Sequence, residues 1–192
     1  KPLPGIQAPC NPSACVGDSA QLCATGAGPN GIYVWSPATG LGSTTGSVVM
    51  GAPSASTTYT VTGTDANGCS NTATAVITIN PLPLVATPPA PAYCFGDSVT
   101  VCMTGASTYH WSPSTGIIWA NGPDSTCVRT NTTVTVTYTV VGYSQEGCSA
   151  NTSITVTVNP LPVATISPDG PIVFCQGGSV NLTALPNGMD SI

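Results

Sequence analysis

From Thr133 to Val140 the chain reads Thr-Val-Thr-Val-Thr-Tyr-Thr-Val, so Val134, Val136, Tyr138 and Val140 share one side of a strict alternation and four threonines the other. A period of two is the mark of a half-buried β-strand. Ser144-Gln145-Glu146-Gly147 then reads as a turn, and Ile154, Val156 and Val158 alternate again on its far side. The stretch is therefore predicted to be a hairpin. Earlier segments are shorter. Strands are expected over 20–25 and 99–104, each entered through Gly-Asp-Ser, and over Tyr33-Val34-Trp35 and Tyr109-His110-Trp111, each stopped by Ser-Pro. Alternation places Trp35 and Trp111 on the inward face, where a large aromatic fills a core. No segment shows helical periodicity. Seven or so short strands separated by turns predict an all-β sandwich.

The hairpin occurs twice. Thr58–Pro83 returns as Thr137–Pro162, and Tyr59 and Tyr138, Cys69 and Cys148, and Pro83 and Pro162 are each separated by 79 residues. A fixed period means an array of one small unit. Pro-Leu-Pro recurs at 2–4, 81–83 and 160–162, where proline stiffens the backbone and restrains the residue before it. We expect modules at 1–79 and 80–158, semi-rigidly linked, and the first part of a third at 159–192. That third module reads as incomplete, to be finished in cis or by another chain, since half a sandwich cannot pair its edges. Between modules the middle differs most: 117–126, with Trp119 inside it, is longer than its counterpart and is expected as a surface loop.

Composition narrows the function. Two basic residues stand against seven acids, for a net charge of -5, so the cations needed for phosphate or anionic lipid are missing. No apolar run approaches the roughly 20 residues of a membrane span. Nucleic-acid partners and membrane insertion are not expected. Charged residues are only 5% of the chain, yet the strand-like runs are unlike a disordered sequence. No signal peptide is visible, so the chain reads as mature or as a segment of something longer. Nine cysteines suit an oxidising, extracellular setting.

The order Cys-Xaa-Gly-Asp-Ser, Trp-Ser-Pro-Xaa-Thr-Gly, Thr-Tyr-Thr-Val, Gly-Cys-Ser and Asn-Pro-Leu-Pro resembles the tandem Ig-like (PKD-type) repeats of very large secreted and surface proteins of Bacteroidota. The resemblance covers both full modules and the start of the third. It implies export, typically by the type IX route, and roles as stalks, adhesins or surface filaments, with no single ligand. Cys10, Cys23, Cys102 and Cys127 depart from the commonest pattern of that family.

Three cysteine positions are shared between modules, 15/94, 23/102 and 69/148, while Cys10 and Cys127 have no counterpart. The third unit keeps the first position as Cys175 but has Thr183 near the second. The 23/102 position is thus optional and is expected to pair with the unshared cysteines. The scheme is Cys15–Cys69, Cys94–Cys148, Cys10–Cys23 and Cys102–Cys127, with Cys175 unpaired within the chain. One objection is geometric: in a standard Ig order the turn bearing Cys15 and the hairpin bearing Cys69 lie at opposite ends. Metal ligation has little to work with, since Cys-Xaa-Xaa-Cys is absent and His110 is the one histidine.

No catalytic residues are expected. His110 lacks a counterpart in module one, where Val34 stands, and reads as a strand-surface residue. Asp65-Ala66-Asn67-Gly68 is half of a calcium-loop pattern, but Asx-Gly is an ordinary hairpin turn. Four aspartates precede Ser and a small apolar residue or Thr, at Ser19, Ser98, Ser125 and Ser191; this resembles the O-glycosylation motif of exported Bacteroidota proteins. Gly-Asp-Ser as a plain turn explains Ser19 and Ser98 without sugar. Asn131, Asn151 and Asn181 stand in N-linked sequons. Trp119 is a candidate contact for a neighbouring chain or a carbohydrate, or folds back onto its own sandwich. The expected protein is a non-enzymatic extracellular repeat without cofactors, forming a stalk or surface filament with neighbouring copies or further modules. The alternatives are a carbohydrate- or cell-binding adhesin and an accessory region of a larger secreted enzyme.

Overall fold

The computed structural model describes residues 1–120 and 125–187, and side chains through residue 184. All regular structure among the described residues is β. The first repeat carries β1 (Ser13–Cys15), β2 (Ala20–Cys23), β3 (Ile32–Ser36), β4 (Val48–Gly51), β5 (Thr57–Thr64) and β6 (Ser70–Asn80). The second carries β7 (Ala92–Cys94), β8 (Val99–Cys102), β9 (Thr108–Ser112), β10 (Ile117–Ala120), β11 (Cys127–Thr130), β12 (Val136–Tyr143) and β13 (Ser149–Asn159). β14 (Val163–Pro168) and β15 (Leu182–Asn187) form an antiparallel pair, and the described side chains of β14 are exposed.

Each repeat is built the same way. One sheet runs β1-β6-β5-β3 in the first repeat and β7-β13-β12-β9 in the second. The opposing strands are β2-β4 and β10-β11-β8. The short opening strand is parallel to the last long one, pairing Cys15 with Asn80 and Cys94 with Asn159. The compact units cut the chain differently. One is Lys1–Val85 with Thr104–Tyr109 and Val141–Asn151; the other is Ala86–Met103 with His110–Val140 and Thr152–Ile192.

The inward residues of the alternation make the core. Leu22, Trp35, Val49, Tyr59, Val61, Ala75 and Ile77 are buried together in the first repeat. In the second, Val101, Met103, Trp111, Val128, Tyr138, Val140, Ile154 and Val156 are buried. Both tryptophans keep a partner for the indole N–H, as a buried donor must: Trp35 Nε1 donates to the Gly46 carbonyl at 3.0 Å and Trp111 Nε1 to that of Ser125 at 2.7 Å. The tyrosine opening the expected hairpin does likewise, Tyr59 to the Thr39 carbonyl at 2.7 Å and Tyr138 to that of Thr115 at 2.8 Å. Tyr138 also meets Trp111 edge to face. Two expectations change. Val134 lies before the strand and is exposed. Residues 117–120 are not loop but the strand β10, because Trp119 and Ala120 find backbone partners in Arg129 and Val128 of β11.

The first two Pro-Leu-Pro segments pack on the repeat that follows them. Pro2–Pro4 lie beside 26–29 and 65–67, and Pro81–Pro83 beside 105–107 and 144–146. Two glycines make this fit. Gly26 has φ +99° and Gly105 φ +94°, and a Cβ on either would overlap the carbonyl of Gly5 or Leu84 respectively. Gly17 has a comparable φ of +93° with open space around it. Gly26→Ala is therefore expected to destabilise by about 2–4 kcal/mol, combining left-handed strain with a backbone clash, and Gly17→Ala by only about 1 kcal/mol. Urea unfolding of the two variants checks the difference; equal losses would mean that the linker does not seat on Gly26.

Candidate functional site: the cysteine-bearing turns

Two kinds of turn carry the shared cysteines. The first follows the opening strand. Asp18 N–H donates to the Cys15 carbonyl at 2.9 Å across Gly17, and Val16 N–H to the Asn80 carbonyl at 3.1 Å. The same bonds recur as Asp97 to Cys94 at 3.0 Å and Phe95 to Asn159 at 2.9 Å. Gly178 N–H donates to the Cys175 carbonyl at 2.9 Å in the same arrangement. Gly17, Gly96 and Gly177 all take φ between +91° and +95°.

The second kind is the hairpin turn. Asp65 N–H donates to the Cys69 carbonyl at 2.9 Å and Gly68 N–H to that of Asp65 at 3.0 Å. In the second repeat Ser144 N–H donates to Cys148 at 2.8 Å and Gly147 N–H to Ser144 at 3.1 Å. The side chain of the first turn residue differs. Asp65 Oδ1 accepts from the N–H groups of Asn67 at 2.8 Å and Cys69 at 2.9 Å, whereas Ser144 Oγ accepts from Cys148 N–H at 3.3 Å. Asp65 is thus an ordinary Asx turn. Among the described residues, no group of three or more His, Cys, Asp or Glu could hold a metal ion.

The structure forms Cys10–Cys23, Cys102–Cys127 and Cys15–Cys148, with Cα separations of 5.4, 4.0 and 5.6 Å. Cys102 and Cys127 face each other in register on β8 and β11, and Cys10 follows Gln7, which is bridged to Thr25 beyond Cys23. The expected Cys15–Cys69 and Cys94–Cys148 pairs are not formed; Cys69 and Cys94 are free, as is Cys175. The reason is strand length. Cys15 lies beside Asn80 at the far end of β6, while Cys69 immediately precedes Ser70 at its start. Eleven residue steps hold the two about 36 Å apart, far beyond the roughly 7 Å that a disulfide can span. Cys94 and Cys148 are kept apart in the same way by β13. Cys15 instead meets the hairpin turn of the other repeat, and both cysteines belong to the first compact unit. Cys148 is 1% exposed, and Asp18, Ser19, Asn80 and Glu146 line a shallow cleft beside Cys15.

No family model matches the chain, and no curated protein matches it. Among solved structures it is similar to the Ig1 and Ig2 domains of DIP-gamma, at 10% identity and TM-score 0.42, over 81% of this chain and 98% of that one. It is similar to the insect immune protein hemolin, at 18% identity and TM-score 0.40, over 83% and 47%. It is also similar to fibronectin(III)-like modules of CbhA from Clostridium thermocellum, at 10% identity and TM-score 0.36, over 81% and 94%. The repeats are immunoglobulin-like sandwiches. Their strand order is that of the fold: a parallel opening strand, the closing hairpin and the tryptophan strand form one sheet and the remaining strands oppose it.

The other sequence-derived candidates are scattered. Ser19 is exposed, and Ser98 Oγ accepts from Arg129 Nε at 2.9 Å. Ser125 is half-buried at φ +46°; Asp124 and Ser191 lie outside the described residues. His110 is exposed on β9. Trp119 is 51% exposed beside Ile118 on β10, so it does not fold fully onto its own sandwich. The trans-repeat pairing of Cys15 was missed because the repeat shows which cysteines are equivalent, not which equivalents meet.

The Asp65 carboxyl is held below its ordinary value, first by the Cys69 N–H it accepts and then by its bonds to Asn67. A lowered folded value adds stability above the ordinary carboxylate range, and that stability is lost as pH falls through the folded value. Acidification below about pH 4 should therefore lower the protection of the Asn67 and Cys69 amides, relative to the intrinsic exchange rate at each pH, while leaving that of Cys148, bonded to a serine hydroxyl, unchanged. Hydrogen exchange by NMR reads both turns in one sample; equal acid sensitivity would contradict the account.

Proposed function

We propose that the chain is part of an extracellular stalk or surface filament whose repeats, 1–79, 80–158 and the one opening at 159, act by resisting tension. The observation that carries this reading is the Cys15–Cys148 bridge, which ties the turn of one repeat to the hairpin of the next. A bridge of this kind joins one repeat to the next. It changes the path of force. Pulling on the two ends loads residues 1–15, passes through the disulfide and leaves at 148, so everything between is shielded. Three disulfides support an oxidising compartment. The sequence resemblance to Bacteroidota surface repeats supports export and attached O-glycan at Ser19 or its equivalents. A second reading, an adhesin contact for carbohydrate or a cell surface, draws on the exposed Ile118 and Trp119.

Single-molecule pulling tests the tension reading. Oxidised wild type should rupture without releasing the chain between Cys15 and Cys148. The double variant Cys15→Ser, Cys148→Ser keeps the other two bridges and should extend by up to about 350 Å more, at roughly 3.3–3.6 Å per freed residue. Equal extension of the two proteins would refute shielding.

A further inference from the structure

The two repeats part company along one sheet edge. Thr39-Gly40-Leu41-Gly42-Ser43 in the first becomes Thr115-Gly116-Ile117-Ile118-Trp119 in the second. Leu41 bridges Gly51 as Ile117 pairs with Thr130. Met50 pairs with Gln21, and Arg129 with Thr100, the residue equivalent to Gln21. Ile118, Trp119 and Arg129 thus stand where the first repeat has Gly42, Ser43 and Met50. The register shift between Ile117 and Trp119 re-aims the edge strand, as bulges do. It leaves two successive apolar side chains exposed, Ile118 at 54% and Trp119 at 51%.

Trp119 is paired directly opposite Arg129, and Arg129 opposite Thr100, so these three side chains share one face of β10-β11-β8. That face is outward, because Val128 and Thr130 on either side of Arg129 are buried. Beside the row lies an open cleft of about 500 Å³, lined among others by Tyr93, Asp97, Ser98, Ile118, Arg129 and Asn131. All of them, with Trp119, belong to the second compact unit. Arg129 Nε donates to Ser98 Oγ at 2.9 Å, which holds the guanidinium at the cleft and leaves its Nη groups as donors. Asp97 supplies acceptors, and the Asn131 amide supplies both kinds of group. The Tyr93 hydroxyl is committed to Thr132, so this residue offers ring surface alone.

One guanidinium and one carboxylate cancel, so the cleft favours neither an anion nor a cation. It suits a neutral ligand whose groups both donate and accept, as hydroxyls do. Ile118 and Trp119 add an apolar strip against which the C–H face of a sugar ring can lie, and a few placed polar groups beside apolar surface are the usual make-up of a ligand site. We propose, resting on the adhesin reading, that the cleft and its tryptophan strip bind a neutral hexopyranose oligosaccharide. Asp97, Asn131 and Arg129 take its hydroxyls, and Trp119 takes a ring face. The first repeat, with Gly42, Ser43 and Met50 in these places, does not bind it.

The test is titration of the full chain with cellotetraose, maltotetraose and tetragalacturonate, followed by NMR of the backbone amides and indole N–H groups. At least one neutral tetrasaccharide is expected to shift the Trp119 indole and the Thr100 and Arg129 amides, and to bind more tightly than tetragalacturonate. Trp119→Ser and Arg129→Met copy the first repeat and so keep the sandwich, which an unchanged melting temperature verifies. Each is expected to weaken binding by roughly tenfold or more. Silence towards all three sugars, or tighter binding of tetragalacturonate, would overturn the proposal. Binding that survives both substitutions would overturn this cleft while leaving the adhesin reading in force.

Discussion

A disulfide cannot reach along an eleven-residue strand, and the rest of the structure follows from that limit. The last strand of each repeat, β6 or β13, holds one shared cysteine at its start and another beside its end. Neither can satisfy the other. Satisfaction has to come from a second repeat, and the chain is arranged so that it does: Cys15 closes on Cys148. The bridges that remain local, Cys10–Cys23 and Cys102–Cys127, link neighbouring or facing segments and reinforce single sandwiches. Two kinds of cysteine thus have two tasks, one inside a repeat and one across repeats.

The linker serves the same arrangement. Pro-Leu-Pro at 2–4 and at 81–83 lies against the hairpin of the repeat it leads into, and Gly26 and Gly105 clear the space for it. At the second repeat the hairpin that receives the linker also carries Cys148. Its residues, 141–151, fall in the first compact unit. Backbone packing and a covalent bond therefore act on one turn.

Much of this was legible in the residues alone. Alternation of Val, Tyr and Thr marked the long strands, Trp35 and Trp111 marked the core, and the period of 79 marked which cysteines are equivalent. The optional 23/102 position pointed to the partners Cys10 and Cys127. What alternation cannot give is the distance between strand ends in three dimensions. Equivalence under a repeat says that Cys15 and Cys94 do the same thing, not whether they do it within a repeat or between two. Trp119 was misplaced for a related reason. Ile117-Ile118-Trp119-Ala120 is too short to show a period, and its strand character comes from the pairing that β11 offers.

The most direct measurement is to introduce a specific protease site at Pro81–Pro83, cut the oxidised protein there, and unfold it without reductant. The account predicts one covalent species that separates into two fragments only after reduction, since Cys15 and Cys148 lie on opposite sides of the cut. Two fragments before reduction would mean that each repeat keeps its disulfides to itself, and the account of a covalently joined array would fail.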